Sequence, residues 1–130
     1  MFIACSKKTT IALTANSKHT ANLKVGEELS FGFNKELFNV RFEKLSDSRC
    51  PTNARCIRAG DAVVDLTYQD AEQTKGNATL VIGESSDFNP DTVELKINKE
   101  TYRIILDSVL PHPEIGKDTL KTATLHFYKL

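Results

Sequence analysis

Hydrophobic and polar residues alternate along most of the chain. In the segment ELFNVRFEKL, Phe38, Val40 and Phe42 fall on one face and polar residues separate them. The same alternation occurs in DAVVDLTYQD, TVELKI, TYRIIL and KTATLHFYKL. Because side chains of a β-strand point to opposite faces in turn, this pattern predicts strands that are buried on one side. Helical periodicity is nearly absent, so we expect an all-β protein.

Shorter apolar segments, TIALTA, LKVGEELSFGF and NATLVIG, bring the expected number of strands to about seven to nine. The short connection INKET predicts a hairpin with antiparallel strands. Two other connections run to nine residues or more, as crossings between sheets do. We therefore predict a single antiparallel β-sandwich of immunoglobulin-like or Greek-key type, with a small β-barrel as the alternative.

The length of 130 residues is typical of one domain with one core. We assign residues 9–130 to the sandwich and residues 1–8 to an N-terminal tail. The chain carries 17 basic and 17 acidic residues, which gives no overall field that would attract nucleic acid. Its sequence predicts neither a metal site nor a cofactor, and we expect a monomer.

The tail contains a cysteine that follows a short run of apolar and small residues. Phe2, Ile3 and Ala4 precede Cys5, and this order resembles the end of a bacterial lipoprotein signal, in which the cysteine carries the lipid. The alternative is a free cysteine in a frayed terminus. Lipidation at Cys5 would make a lipid anchor the protein's only contact with a membrane.

Cys50 and Cys56 bear on the cellular compartment. A metal site would need two further ligands, yet the three histidines, His19, His112 and His126, lie far away in the sequence. A local disulfide is favoured over reduced thiols or half a metal site, and it implies export.

The cysteine segment is also rich in arginine. Arg49, Arg55 and Arg58 fall within ten residues, between Asp47 and Asp61. Three guanidinium groups on a stapled loop could bind a carboxylate, a phosphate or a sulfated sugar. Alternatively, they pair with the two aspartates and with loop carbonyls to hold the loop's shape.

Motifs of catalysis are missing from the sequence. It has no GxSxG, no HExxH and no glycine-rich phosphate loop. We expect no enzymatic activity, and a small hydrolase would require a histidine to meet a nucleophile through the fold.

The segment DSRCPTNARCIRAG resembles the signature of an uncharacterised bacterial family of exported domains and lipoproteins. The matching residues are Asp47, Ser48, Arg49, Cys50, Pro51, Cys56, Ile57, Ala59 and Gly60. LKVGEELSF, NVRFEKL and IILDSVLPHP are similar too, so that the resemblance covers most of residues 23–130. Arg58 stands where the family usually has tryptophan. The resemblance implies location and fold, and no established activity.

Together these observations predict an exported protein, periplasmic or anchored to the outer membrane as a lipoprotein. We expect a non-enzymatic binding module for a protein or glycan of the cell envelope. A protease inhibitor that uses the stapled loop is the alternative, because a stiffened loop lowers the ordering cost of binding.

Overall fold

The computed structural model describes residues 9–12, 17–33, 36–70, 75–83, 91–97, 99–116 and 120–130. Within these ranges the chain forms nine strands and no helix. The strands are β1 (Thr9–Ala12), β2 (Lys18–Lys24), β3 (Glu28–Phe33), β4 (Glu36–Asp47), β5 (Asp61–Asp70), β6 (Lys75–Gly83), β7 (Thr92–Ile97), β8 (Glu100–Leu110) and β9 (Thr122–Lys129). Accordingly, this part of the chain contains no helix of the length and apolar character that crossing a membrane requires.

The strands form two sheets that pack face to face. One sheet has five strands in the order β1-β3-β4-β5-β6, and the other has four in the order β2-β9-β8-β7. Neighbouring strands are antiparallel, except that β1 runs parallel to β3. The predicted β-sandwich is confirmed, and β7 and β8 form the expected hairpin.

Consecutive strands mostly stay in one sheet. β3 to β6 form one meander and β7 to β9 form another, while β2 pairs with β9. This order differs from the Greek-key order that the long connections suggested. The reason is that the connections β4–β5 and β8–β9 each join neighbouring antiparallel strands of the same sheet.

The core lies between the two sheets and uses the apolar face of each alternating segment. Phe38, Val40 and Phe42 are buried as predicted. Phe31 packs against Phe127 of the opposite sheet with ring centroids 3.9 Å apart, and Phe38 packs against Tyr102 at 4.7 Å. Such inter-sheet aromatic contacts contribute packing beyond simple area burial.

Two β-bulges adjust the strands to this core. The register shifts between Phe42 and Lys44 in β4, and between Leu106 and Ser108 in β8. Each bulge places two polar residues in succession on the outer side, after which the next apolar residue returns to the core. In β4 Glu43 lies outward by normal alternation, and the bulge adds Lys44 to the outer face of the five-stranded sheet.

Candidate functional site

The stapled loop, residues 48–60, connects β4 to β5 at one end of the sandwich. A disulfide joins Cys50 to Cys56 with a Cα–Cα distance of 5.8 Å, which confirms the predicted pairing. Below the disulfide, the Cys50 N–H donates to the Ala59 carbonyl at 2.7 Å. The Ser48 N–H donates to the Asp61 carbonyl at the same distance. These bonds extend the β4–β5 ladder into the base of the loop.

A second segment, residues 111–116, lies against the stapled loop, and we call it the companion loop. The Thr52 N–H donates to the Pro113 carbonyl at 2.9 Å. The Asn53 side chain makes two bonds with the backbone of Ile115, donating to its carbonyl at 3.2 Å and accepting from its N–H at 2.8 Å. His112 Nε2 lies 3.0 Å from a carbonyl oxygen of the stapled loop; since a carbonyl can only accept, this nitrogen carries the proton. The two loops therefore form one hydrogen-bonded unit.

An ion pair closes the base of the stapled loop. Arg49 Nε and Nη2 donate to the two carboxylate oxygens of Asp47 at 2.8 and 2.7 Å, and the Arg49 N–H donates to Oδ1 at 3.2 Å. Lys121 Nζ lies 3.7 Å from the same carboxylate. The residues are partly buried, and their side chains are only 8% (Asp47) and 9% (Arg49) exposed. A bidentate pair of this kind fixes both orientation and position.

The pKa of Asp47 reflects this setting. Burial of the carboxyl acts to raise its pKa. The hydrogen bonds from the Arg49 side chain and backbone outweigh burial, helped by the positive charges of Arg49 and Lys121, and the pKa lies below its ordinary value. The carboxylate is thus ionised at neutral pH and holds Arg49 in place.

The three predicted arginines do not share one role. Arg49 is occupied by Asp47, which favours the structural alternative for this residue. Arg55 and Arg58 are exposed near the tip of the stapled loop, where their role in anion binding stays a prediction. Between them Ile57 is fully exposed, at 103% of its reference area.

Other exposed apolar side chains lie at the same end of the sandwich. Seven large hydrophobic residues are exposed in the described part of the chain, and four of them belong to this end: Ile57, Leu110, Ile115 and Leu120. Sequence reasoning singled out the arginines and missed this apolar group. In the sequence these four residues could have been recognised as isolated apolar residues within segments rich in proline, glycine and charged residues.

One histidine meets a hydroxyl and a carboxylate on the outer face of the four-stranded sheet. His126 Nδ1 lies 2.9 Å from Thr20 Oγ1, and its Nε2 lies 3.6 Å from Asp107 Oδ1. The Asp107 side chain is 57% exposed, and 3.6 Å is too long for a hydrogen bond that would orient a catalytic base. The group lacks the buried acid that activates a nucleophile.

Cys5, the predicted lipidation site, and the rest of the tail lie outside the described residues. Within the described ranges, no three side chains among His, Cys, Asp and Glu are grouped so as to hold a metal ion. Comparison of the chain with protein-family models, curated proteins and solved structures finds no match.

Proposed function

We propose that the protein is a non-enzymatic binding module that docks a protein partner through its stapled and companion loops. The observation that carries this proposal is the full exposure of Ile57 on a loop held by a disulfide and by bonds to the companion loop. Exposed apolar side chains that are grouped on one part of a folded surface mark protein interaction sites. A loop that is ordered before binding loses less conformational entropy when it binds.

The side chains of the stapled and companion loops indicate which chemical groups the docking surface of the partner carries. Ile57 would enter an apolar pocket, and Ile115 adds apolar area on the companion loop. Arg55 and Arg58 stand on either side of Ile57 in the sequence and favour carboxylates at the rim of that pocket. The expected partner is a protein whose docking surface is apolar in the centre and acidic around it.

The proposal places this interaction in the bacterial cell envelope. The Cys50–Cys56 disulfide is compatible with export, because such bonds persist in oxidising compartments. The resemblance of the cysteine segment to exported domains and lipoproteins supports the same location. In the native cell the protein would be tethered by lipid on Cys5. Mass spectrometry of the membrane fraction should find a diacyl- or triacyl-cysteine at this position, whereas a soluble, unmodified protein would contradict the anchor.

Site-specific crosslinking in the native cell envelope tests the docking site. A photoreactive amino acid replaces Arg55, next to the proposed anchor, and in a control protein it replaces Val25, which is half-exposed in the β2–β3 turn. A discrete crosslinked band is expected from position 55 and not from position 25. Ile57→Asp should remove that band, while Leu37→Asp, at another exposed apolar position, should keep it. Equal crosslinking from both positions would refute the proposal.

Protease inhibition is a second candidate that the same observation favours. Ile57 directly follows a disulfide-bonded cysteine and projects fully into solvent, as a residue presented to a protease active site does. Titration against serine and cysteine proteases with aliphatic or arginine specificity would show a stoichiometric loss of activity. Full protease activity at micromolar protein would exclude this candidate and leave docking untouched.

A further inference from the structure

A polar groove crosses the outer face of the five-stranded sheet, away from both the core and the stapled loop. Its volume is about 350 Å³, within the range of small-ligand sites. The floor is formed by amide, hydroxyl and charged side chains: Asn39, Arg41, Glu43, Thr67, Gln69 and Asn77. This composition differs from that of the end of the sandwich that carries the stapled and companion loops, where exposed aliphatic side chains lie.

Strand register assembles the groove from the outward positions of four neighbouring strands. Arg41 of β4 is opposite Thr67 of β5, which is opposite Asn77 of β6. Glu28 of β3 completes this row beyond Arg41. Three interstrand spacings give the row a width of about 14 Å. A row of that width fits a ligand made of several linked monomers better than it fits a single small ion.

Several side chains of the groove are already oriented. Ser30 Oγ donates to Asn39 Oδ1 at 2.5 Å, which directs the amide nitrogen of Asn39 away from Ser30. Thr67 Oγ1 donates to Glu43 Oε1 at 3.3 Å, and Arg41 Nε pairs with the same oxygen at 3.1 Å. The Arg41 and Glu43 side chains remain 48% and 43% exposed, so a ligand can still reach them. Glu43 joins this arrangement because it follows Asn39 and Arg41 on the outward face of β4.

The charges around the groove cancel. Arg41 and Lys75 supply two positive charges, and Glu28 and Glu43 supply two negative ones. A polyanion such as nucleic acid or an acidic glycan would gain attraction from the first pair and lose it to the second. The groove is therefore matched to a ligand with no net charge.

We propose that this groove binds an uncharged oligosaccharide. Each sugar hydroxyl both donates and accepts a hydrogen bond, and the amide of Asn77 carries both a donor and an acceptor. The Asn39 side chain adds its amide nitrogen as a donor. The carboxylate of Glu43 accepts and the guanidinium of Arg41 donates at its centre. This groove is separate from the stapled and companion loops. The proposal that it binds an oligosaccharide does not depend on whether those loops dock a protein.

Chemical-shift mapping on the ¹⁵N-labelled protein tests the proposal. The probes are uncharged tetrasaccharides (cello-, malto-, xylo-, manno- and chitotetraose), with tetragalacturonate and tetra-alanine for contrast. At millimolar concentration, at least one uncharged probe should shift the backbone amides of β4, β5 and β6 that surround the groove. Asn77→Ala and Arg41→Ala should each weaken its affinity about tenfold, as the loss of a ligand hydrogen bond does. Lys44→Ala, on the same sheet but outside the groove, should leave the affinity unchanged.

Several results would overturn the oligosaccharide site. These are no shift with any uncharged tetrasaccharide, shifts confined to another face, or binding of tetragalacturonate or tetra-alanine alone. An affinity that Asn77→Ala leaves unchanged would overturn it as well. Should Arg41→Ala fail to fold through loss of its pair with Glu43, the wild-type shift map and Asn77→Ala still decide the question.

Discussion

Gly60 closes the stapled loop at a point where the backbone leaves no room for a side chain. Its φ is +77°, and a Cβ atom built on it would lie 2.0 Å from the Ser48 carbonyl oxygen and 3.0 Å from the Arg49 Cα. Both of these atoms belong to the backbone, so no side chain can rotate away to relieve the contact. Gly26 provides a matched control, because its φ is +91° and nothing lies within 4 Å of the same added atom.

The two alanine substitutions should differ by the cost of this contact. Positive φ costs each alanine about 1–2 kcal/mol, and the entropy that alanine removes from the unfolded chain is the same in both variants. In Gly60→Ala, Ser48 must also move and give up its three hydrogen bonds with Asp61. Losing these three hydrogen bonds costs about 1 kcal/mol each. The free energy of unfolding of Gly60→Ala should therefore be about 4 kcal/mol below that of the wild type.

Urea denaturation of the two variants and of the wild type measures this difference, provided that all three show the same dependence on denaturant. We expect Gly60→Ala to have a much lower midpoint than Gly26→Ala. Losses of unfolding free energy that agree within about 0.5 kcal/mol would show that the strand ends can shift freely. The interpretation of the stapled loop as a rigid platform would then be refuted.

Three further variants probe the base of the loop, its disulfide and the core. Asp47→Asn should cost about 3 kcal/mol at neutral pH, because it leaves Arg49 buried without its partner. Since the pKa of Asp47 is lowered in the folded state, its contribution is complete above the unfolded-state value of about 4 and is lost as the pH falls through the folded pKa. The stability gap between wild type and Asp47→Asn should therefore shrink in acid, and a gap independent of pH would contradict the ion pair. Replacing Cys50 and Cys56 by serine should lower the free energy of unfolding by about 2.4 kcal/mol, and reduction of the wild type should match it in urea denaturation. Phe127→Ala should cost about 4 kcal/mol in the same assay by removing the ring that packs on Phe31.

Much of the fold was accessible from local sequence pattern. Alternation predicted β4, β5, β7, β8 and β9, and the spacing of Cys50 and Cys56 predicted the disulfide. These features depend on residues close together in the chain, where side-chain period and ring size leave few alternatives. The bulge in β4 is also visible in the sequence, since Glu43 and Lys44 are two consecutive polar residues inside an otherwise alternating strand.

The features that escaped prediction depend on residues far apart in the chain. Asn53 and Ile115 are separated by 62 positions, and nothing in either local sequence indicates that they meet. The groove arises from the register of four strands, and register follows from the whole core rather than from one segment. For Arg49 the partner was near in sequence, yet burial decided between a structural role and a ligand-binding one.

The pairing of β2 with β9 also has a consequence for how the chain matures during synthesis. Lys18 lies opposite Tyr128, and Lys24 lies opposite Thr122, so β2 gains its partner only after nearly all of the intervening chain has been made. Contacts of such long sequence separation slow folding, because the connecting chain must lose its entropy before they form. A nascent chain therefore keeps its four-stranded sheet incomplete until the last strand has been made.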